Sequence, residues 1–389
     1  MRRTVSCFVE RCGNRLRDCE KTHPGPDSSD VAAFVARQPQ VNHYCTYFDS
    51  RYLVPGVALM LSLRRHDPGM TLWVLAVDEL TAAAIKALGG DDVRVLSLAD
   101  LEQTDPELAL SRATRSPLEN LFTLSPCLPR HLLRSNPEIP AITYVDADLW
   151  FFDRVDEMHR EWDGGSIYLV RHDMPDYLRA REGCFGRFNV GVLGFRNDSS
   201  ARACLDWWRE RCLEWCKDVP EPGRYADQKY LDGWPERFNG VVVSQHPGIN
   251  VAPWNWQTRQ LAANGAQATA GGRPLVVFHF AQLRRLGWRW IDTNQSEFGV
   301  MPFSLRAPIY GSYVEALDEA ERELSGAAPT NAARPRSRRR GWQHWAIALL
   351  FGTIWVRWGR WWFSTGWGLG RCSGRFLAWQ RRLRGRTAI

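Results

Sequence analysis

Residues 143–152 read TYVDADLWFF. An apolar run ends in two aspartates one residue apart, and a run rich in aromatics begins directly after them. Two carboxylates that close each raise the cost of ionising the other unless a counter-charge is present. A divalent cation supplies one, and oxygen ligands suit Mg2+ or Mn2+, which leave coordination positions for water or substrate phosphates. The alternative is that Asp146 and Asp148 only cap a turn, a common use of aspartate after a strand.

The flanking sequence decides how this stretch is carried. VNHYCTYFD (41–49) reads as a buried strand, VPGVALMLSLRRH (54–66) as a helix with one apolar face, and TLWVLAVD (71–78) as a second strand. A helix in TAAAIKAL (81–88), a short strand in VRVLSL (93–98), a helical stretch around 118–134 and the strand AITYVD (141–146) follow. This alternation predicts an α/β fold with a mixed, mostly parallel central sheet flanked by helices. Ligands of such sheets collect at the carboxyl ends of the strands. Asp49 and Asp146 both fall at strand ends, so the two are expected to face one pocket. Farther on, SSARACLDWWRERCLEWCK (199–217) predicts a core helix capped by Ser199 or Ser200, with an apolar stripe through Leu205, Trp208, Cys212 and Trp215.

With 389 residues and 44% hydrophobic content, the chain can bury one large core and fits a globular enzyme, not a disordered chain. Its net charge of +7 is unevenly spread: the last carboxylate is Glu323, and thirteen arginines lie from Arg334 onward. Setting those thirteen aside leaves 37 cations against 43 anions, an acidic body with a basic appendage. The ten cysteines form no CxxC, and the first twenty residues contain no long apolar segment, which predicts reduced thiols in a cytoplasmic protein. Cys212 and Cys216 at i,i+4 read as packed helix thiols before they read as metal ligands.

Other segments extend the pattern. FNVGVLGFRND (188–198) places Asn189 ahead of a glycine-interrupted strand, YADQKYLDGWP (225–235) places Asp227 and Gln228 at the start of a short helix, and INVAPWNW (249–256) leads to PLVVFHFAQLRRLG (274–287), where His279 ends a strand. In this order, with Thr46, Tyr47, Asp49 and Tyr52 on the first strand and the DAD of 146–148, residues 41–305 resemble the glycosyltransferases of family 8 with the GT-A fold. LSPCLP (124–129) is similar to a TPxLP-like stretch of a bacterial branch of that group.

The resemblance implies a metal-dependent transfer of a sugar from a nucleotide-diphosphate donor, a UDP-sugar, to an acceptor hydroxyl, with retention at the anomeric carbon. It implies Asp146, Asp148 and His279 as ligands of Mn2+ or Mg2+. Thr46, Tyr47, Asp49 and Tyr52 would meet the nucleoside, Asn189 and Gly191 would border the donor sugar, and Asp227 and Gln228 would approach the reacting carbon. One departure is plain: the family's late histidine opens an HFxGxxKPW-like run, whereas here Gln282 stands at the glycine position and Arg284 and Arg285 follow. Either arginine, with Arg284 the first of the two, is expected to take over the phosphate contact, since a guanidinium bonds phosphate oxygens bidentately.

Each residue also has a plainer reading. His279 between Phe278 and Phe280 could be a satisfied core histidine, Asp227 and Gln228 could cap the following helix, and Asn189 could form a strand-end turn. Two other functions compete: a non-catalytic module that binds a nucleotide sugar or glycan at a membrane, and a phosphotransferase using the first aspartate of DxD as nucleophile. The second is disfavoured by the position of the pair past residue 140 and by the bulky Leu149, Trp150 and Phe151 behind it.

The organisation expected is a loose leader (1–40), a GT-A domain (41–325), a Pro/Arg-rich linker (326–340) and an amphipathic helical tail (341–389). The stretch from Arg334 onward holds eight of the 19 tryptophans, and its apolar block from Trp345 to Val356 is too short to span a bilayer. Tryptophan with arginine fits the headgroup layer of an anionic membrane better than a nucleic acid. The expected partners are therefore a nucleotide-sugar donor, a glycan or lipid-linked acceptor and the inner face of a membrane.

Overall fold

The structure, a computed structural model, describes residues 41–265, 267–285, 290–293, 295, 298–327, 354–358 and 361–364. The chain divides into Met1–Gln40 and Val41–Ile389, and the expected leader lies outside the described residues.

The first half builds as the alternation predicts. Strands β1 (His43–Phe48), β2 (Thr71–Ala76) and β3 (Val93–Ser97) pair in parallel, and β1 also pairs in parallel with β4 (Ala141–Val145). Beyond β4 the sheet turns antiparallel. β7 (Phe188–Arg196) lies between β4 and β6 (Ile167–Arg171), and β6 pairs in parallel with β8 (Val241–Val243). The result is a seven-stranded mixed sheet in the order β3-β2-β1-β4-β7-β6-β8, mostly parallel.

Helices cover both faces, which is why β1 and β7 read as nearly continuous apolar runs. On one side Tyr44, Phe48, Leu72 and Val74 pack with α1 (Leu53–His66), α2 (Glu79–Leu88) and the long α5 (Phe303–Ala327). On the other, Cys45, Ile142, Leu193 and Phe195 pack with α3 (Pro117–Ser135) and α4 (Ser199–Glu214). α4 is capped by Asp198, whose side chain accepts from the Ala201 N–H, and not by Ser199 or Ser200. Its buried stripe includes Leu205, Trp208 and Cys212, and Cys212 and Cys216 are free and buried.

Two smaller sheets matter for the site. β5 (Leu149–Phe151) pairs antiparallel with β12 (Val277–His279). β9 (Leu261–Asn264), β10 (Gln267–Ala270) and β11 (Arg273–Pro274) form a separate antiparallel meander.

The tail corrects one expectation. In place of a helix, β15 (Ile354–Trp358) and β16 (Trp361–Ser364) pair antiparallel, and β15 continues through β14 (Trp290–Asp292) to β13 (Arg284–Arg285). IWVRW and WWFS are rich in β-branched and aromatic residues, so strand preference outweighs the helical reading of the charge pattern. The rest of 341–389 and residues 328–340 of the expected linker lie outside the described residues. Among the described residues no helix is long and apolar enough to cross a membrane.

Candidate metal and donor site

After β4 the chain turns through Asp146, Ala147 and Asp148. Backbone hydrogen bonds hold the turn on three sides: Asp146 N–H to Gly191 O (3.0 Å), Leu149 N–H to Asp146 O (3.2 Å) and Phe280 N–H to Asp148 O (2.9 Å). The aromatic run behind the aspartates is β5, and its pairing with β12 sets Phe278 opposite Trp150 and His279 opposite Leu149. A slip of one residue would turn His279 to the other face. In the observed register His279 Nε2 lies 3.1 Å from Asp148 Oδ1 and 3.7 Å from Asp146 Oδ2. Ligand-capable atoms of the three residues all lie within 4.8 Å of one another.

The donor set fits a hard divalent cation: two carboxylates and one imidazole, with the aspartate side chains 29% and 16% exposed. Asp146 Oδ1 accepts from the Tyr144 hydroxyl (2.7 Å), and among the described hydrogen bonds neither carboxylate accepts from a turn N–H, so the turn-capping alternative fails. Burial pushes the Asp146 carboxyl up, His279 opposes this and Asp148 adds to it. For His279, burial acts to lower the imidazole, but the Asp148 and Asp146 carboxylates together raise it. Without a cation, such a cluster retains a proton that a divalent ion would displace.

The wall beside this cluster is β7. Gly191 has no room for a side chain: a Cβ there would lie 2.7 Å from both Asn189 Oδ1 and His279 Nδ1. Asn189 uses its whole carboxamide. Oδ1 accepts from Gly191 N–H (2.9 Å) and Asn250 Nδ2 (2.8 Å), while Nδ2 donates to Gln228 Oε1 (3.0 Å) and His172 Nε2 (3.3 Å). Gln228 donates to Phe185 O (2.9 Å) and accepts also from Val190 N–H (3.4 Å). Gln228 stands at the N-cap of the short 3-10 helix Lys229–Gly233 but makes no side-chain capping bond to it, and Asn189 sits within the strand, not in a turn.

A group of polar side chains links β1 to α3 beside Asp146. Tyr47 and Ser125 share a hydrogen bond (3.0 Å). Asp227 is buried there, and its carboxyl is pushed up to about 7 by burial, with Ser125 opposing and the Asp146 charge adding to the rise. At the rim, Tyr52 is exposed, and its phenol is raised by partial burial and by Asp148 and Asp146, with Arg284 acting the other way. Asp49 accepts from the Arg51 backbone N–H (2.9 Å) and pairs with the Arg51 guanidinium (2.7 Å). Thr46 is the exception. It is fully buried in β1, and its hydroxyl has no partner among the described residues.

Several residues drew no attention in the sequence. Ser125 lies inside LSPCLP, between Leu124 and Pro126, and His172 follows β6 as an isolated histidine. Asn250, with φ of 57°, and Trp254 belong to the PWN segment. Trp254 stands edge-on to both His279 (5.3 Å between centroids) and His172 (5.6 Å). The signal available was positional: His172 follows a strand of the same sheet, as the DAD does.

No protein-family model matches the sequence. The uncharacterized protein YfnF of Bacillus subtilis (strain 168) is 32% identical over 260 residues, covering 65% of this chain and 83% of that protein. The chain belongs to the same family as YfnF. A second Bacillus subtilis relative, the uncharacterized protein YfnD, is 28% identical over 241 residues, covering 61% of this chain and 77% of that protein. Among solved structures, this member of the YfnF family is similar to the galactosyltransferase LgtC in complex with donor and acceptor sugar analogs, at 15% identity and a TM-score of 0.43, covering 78% of this chain and 99% of that one. Mouse xyloside xylosyltransferase 1 in its apo form matches at 15% identity and a TM-score of 0.41, covering 62% of this chain and 98% of that one.

Proposed function

We propose that the chain is a metal-dependent glycosyltransferase of the family 8 type with a GT-A fold. It moves a sugar from a nucleotide-diphosphate donor, a UDP-sugar, to a hydroxyl of a lipid-linked or envelope glycan, with retention at the anomeric carbon. The observation that carries this reading is the convergence of Asp146, Asp148 and His279 at the carboxyl end of a central parallel strand, with Tyr52 and Arg284 acting at its rim.

In this reading Asp146, Asp148 and His279 hold Mn2+ or Mg2+. When bound, the cation offsets charge that grows on the departing diphosphate. Arg284 neutralises the same diphosphate from the rim, and Tyr52, Asp49 and Tyr47 meet the nucleoside. Asn189 and Gly191 form the wall against the donor sugar. Asp227, buried next to Asp146, presents its carboxyl to the sugar side, while Gln228 accepts from Asn189 and keeps one N–H beyond the one it donates to Phe185 O.

The body from 41 to 325 is the catalytic domain, and the arginine- and tryptophan-rich tail rests on the anionic inner face of a membrane, close to a lipid-linked acceptor. Metal-dependent release of nucleotide from candidate donors tests the central claim. Asp148→Ala is expected to abolish it, and wild-type rates in that variant would overturn the metal reading.

A further inference from the structure

We propose that His172 is a positioning residue for the Asp146, Asp148 and His279 cluster, acting as its neutral Nδ1–H tautomer through the carboxamide of Asn189. The inference deepens the metal reading and rests on it in one of its two tests.

Backbone groups fix every orientation in the chain of contacts. His172 Nδ1 lies 2.9 Å from Gly186 O, a group that only accepts, so Nδ1 carries the proton. At the other end, the oxygen of Asn189 is identified by the Gly191 N–H, a group that only donates. The Asn189 atom facing His172 Nε2 is therefore the NH2, and Nε2 must accept. The ring is thus neutral, in keeping with its burial, which lowers it to about 4. Gln228 is oriented in the same way, by the Val190 N–H and Phe185 O.

What this network positions follows from its other arms. Asn189 holds Gly191, whose carbonyl anchors the Asp146 N–H and whose bare Cα leaves room for the His279 ring. Asn189 also holds Asn250, and the next residue, Val251, accepts the His279 N–H (2.7 Å). Both halves of the candidate metal site, the DAD turn and β12, are therefore tied to one carboxamide, and His172, with Gln228, holds its amino side in place. Asn255 closes the loop by donating to His172 O (3.0 Å) and Asn250 O (3.3 Å).

Removing an outer partner of a metal ligand typically lowers affinity about 10- to 100-fold. His172→Phe keeps the ring against Trp254 but loses both polar contacts, whereas His172→Gln can donate to Gly186 O and accept from Asn189. The protein is labelled with 15N-histidine, and long-range 1H–15N spectra are recorded at pH 7, alongside Mn2+ titrations followed by electron paramagnetic resonance. His172 should show the Nδ1–H pattern. His172→Phe should move the His279 resonances and weaken Mn2+ by about tenfold or more, and His172→Gln should recover most of that loss. Asn250→Gly, which tolerates the positive φ and removes the amide from the other arm, should repeat the effect should His172→Phe not fold. Unmoved His279 resonances with Mn2+ affinity within about twofold in a folded variant, against the tenfold expected, overturn the proposal. A wild-type protein that takes up no Mn2+ removes the metal reading instead, and the histidine spectra then decide the positioning alone.

Discussion

Gly191 shows how much of the site depends on single atoms. Its missing Cβ would stand 2.7 Å from the His279 ring, which also meets Trp254 edge-on. Gly191→Ala should therefore displace His279 and lower Mn2+ affinity about 10- to 100-fold while the melting temperature stays within a few degrees; unchanged affinity by calorimetry would show that the ring is free to adjust. Asp227 gives a second prediction, through pH. Its folded value of about 7 lies above the ordinary carboxyl value, so the folded state favours the protonated form. Its stabilising contribution is complete below about pH 3.9 and is lost as pH rises through 7, by up to about 4 kcal/mol. Relative to Asp227→Asn, which has no such titration, the wild type should lose stability between pH 4 and 8 in urea unfolding, and parallel curves would refute the burial of a free carboxyl. At this scale the DAD was legible, because like charges in sequence demand a counter-charge, whereas His279, between two phenylalanines, read as core on its own and was reached only through the resemblance. Thr46 shares a face of β1 with Tyr44 and Phe48, which pack into the core beneath α1, and the alternation of the strand alone did not show how deeply it is buried.

Among the elements, strand and helix order was legible as far as β4 because each segment there keeps one period. The pairing of β5 with β12 was not, since it joins a three-residue strand to another more than 120 residues away, and no local pattern encodes that register. Gln282 marks the loop that follows: it stands where the resembled family has glycine, and its φ of 62° is a conformation that favours glycine. Helix docking supplies the prediction that belongs here. Arg209 on α4 bonds Asp105, the N-cap of the short helix Pro106–Ser111, through Nε at 2.6 Å, with both groups buried. Arg209→Ala leaves a buried carboxylate without its partner and should cost about 3–5 kcal/mol. Arg209→Met combined with Asp105→Asn, which keeps a capping oxygen without the charge, should recover at least half of that in denaturant unfolding. A double variant no better than the single one would show that the pair contributes through shape and not through charge.

On the scale of the whole molecule, the division of charge was the clearest signal in the sequence, and the form of the tail was the least clear. Thirteen arginines after residue 333 stand against an acidic body, yet the segments at 354–358 and 361–364 are strands. They extend the β13–β14 pair, so these two segments of the tail are joined to the strand that carries Arg284. Membrane attachment through this sheet would hold the rim of the donor site at a fixed height above the lipid. Each arginine near an anionic surface contributes about 1 kcal/mol, and this attraction is screened within a Debye length of about 8 Å at physiological salt. The full chain should therefore sediment with phosphatidylserine-containing vesicles in low salt and be largely released at about 0.5 M salt, as electrostatic attachment requires. A chain ended at Ala327 should stay in solution under both conditions. It should also lose thermal stabilisation by a nucleotide sugar, because β14 is left without its neighbour and Arg284 without a braced strand pair. Vesicle binding by the shortened chain would move the membrane contact to the body, and full donor stabilisation without the tail would make β15 and β16 irrelevant to the site.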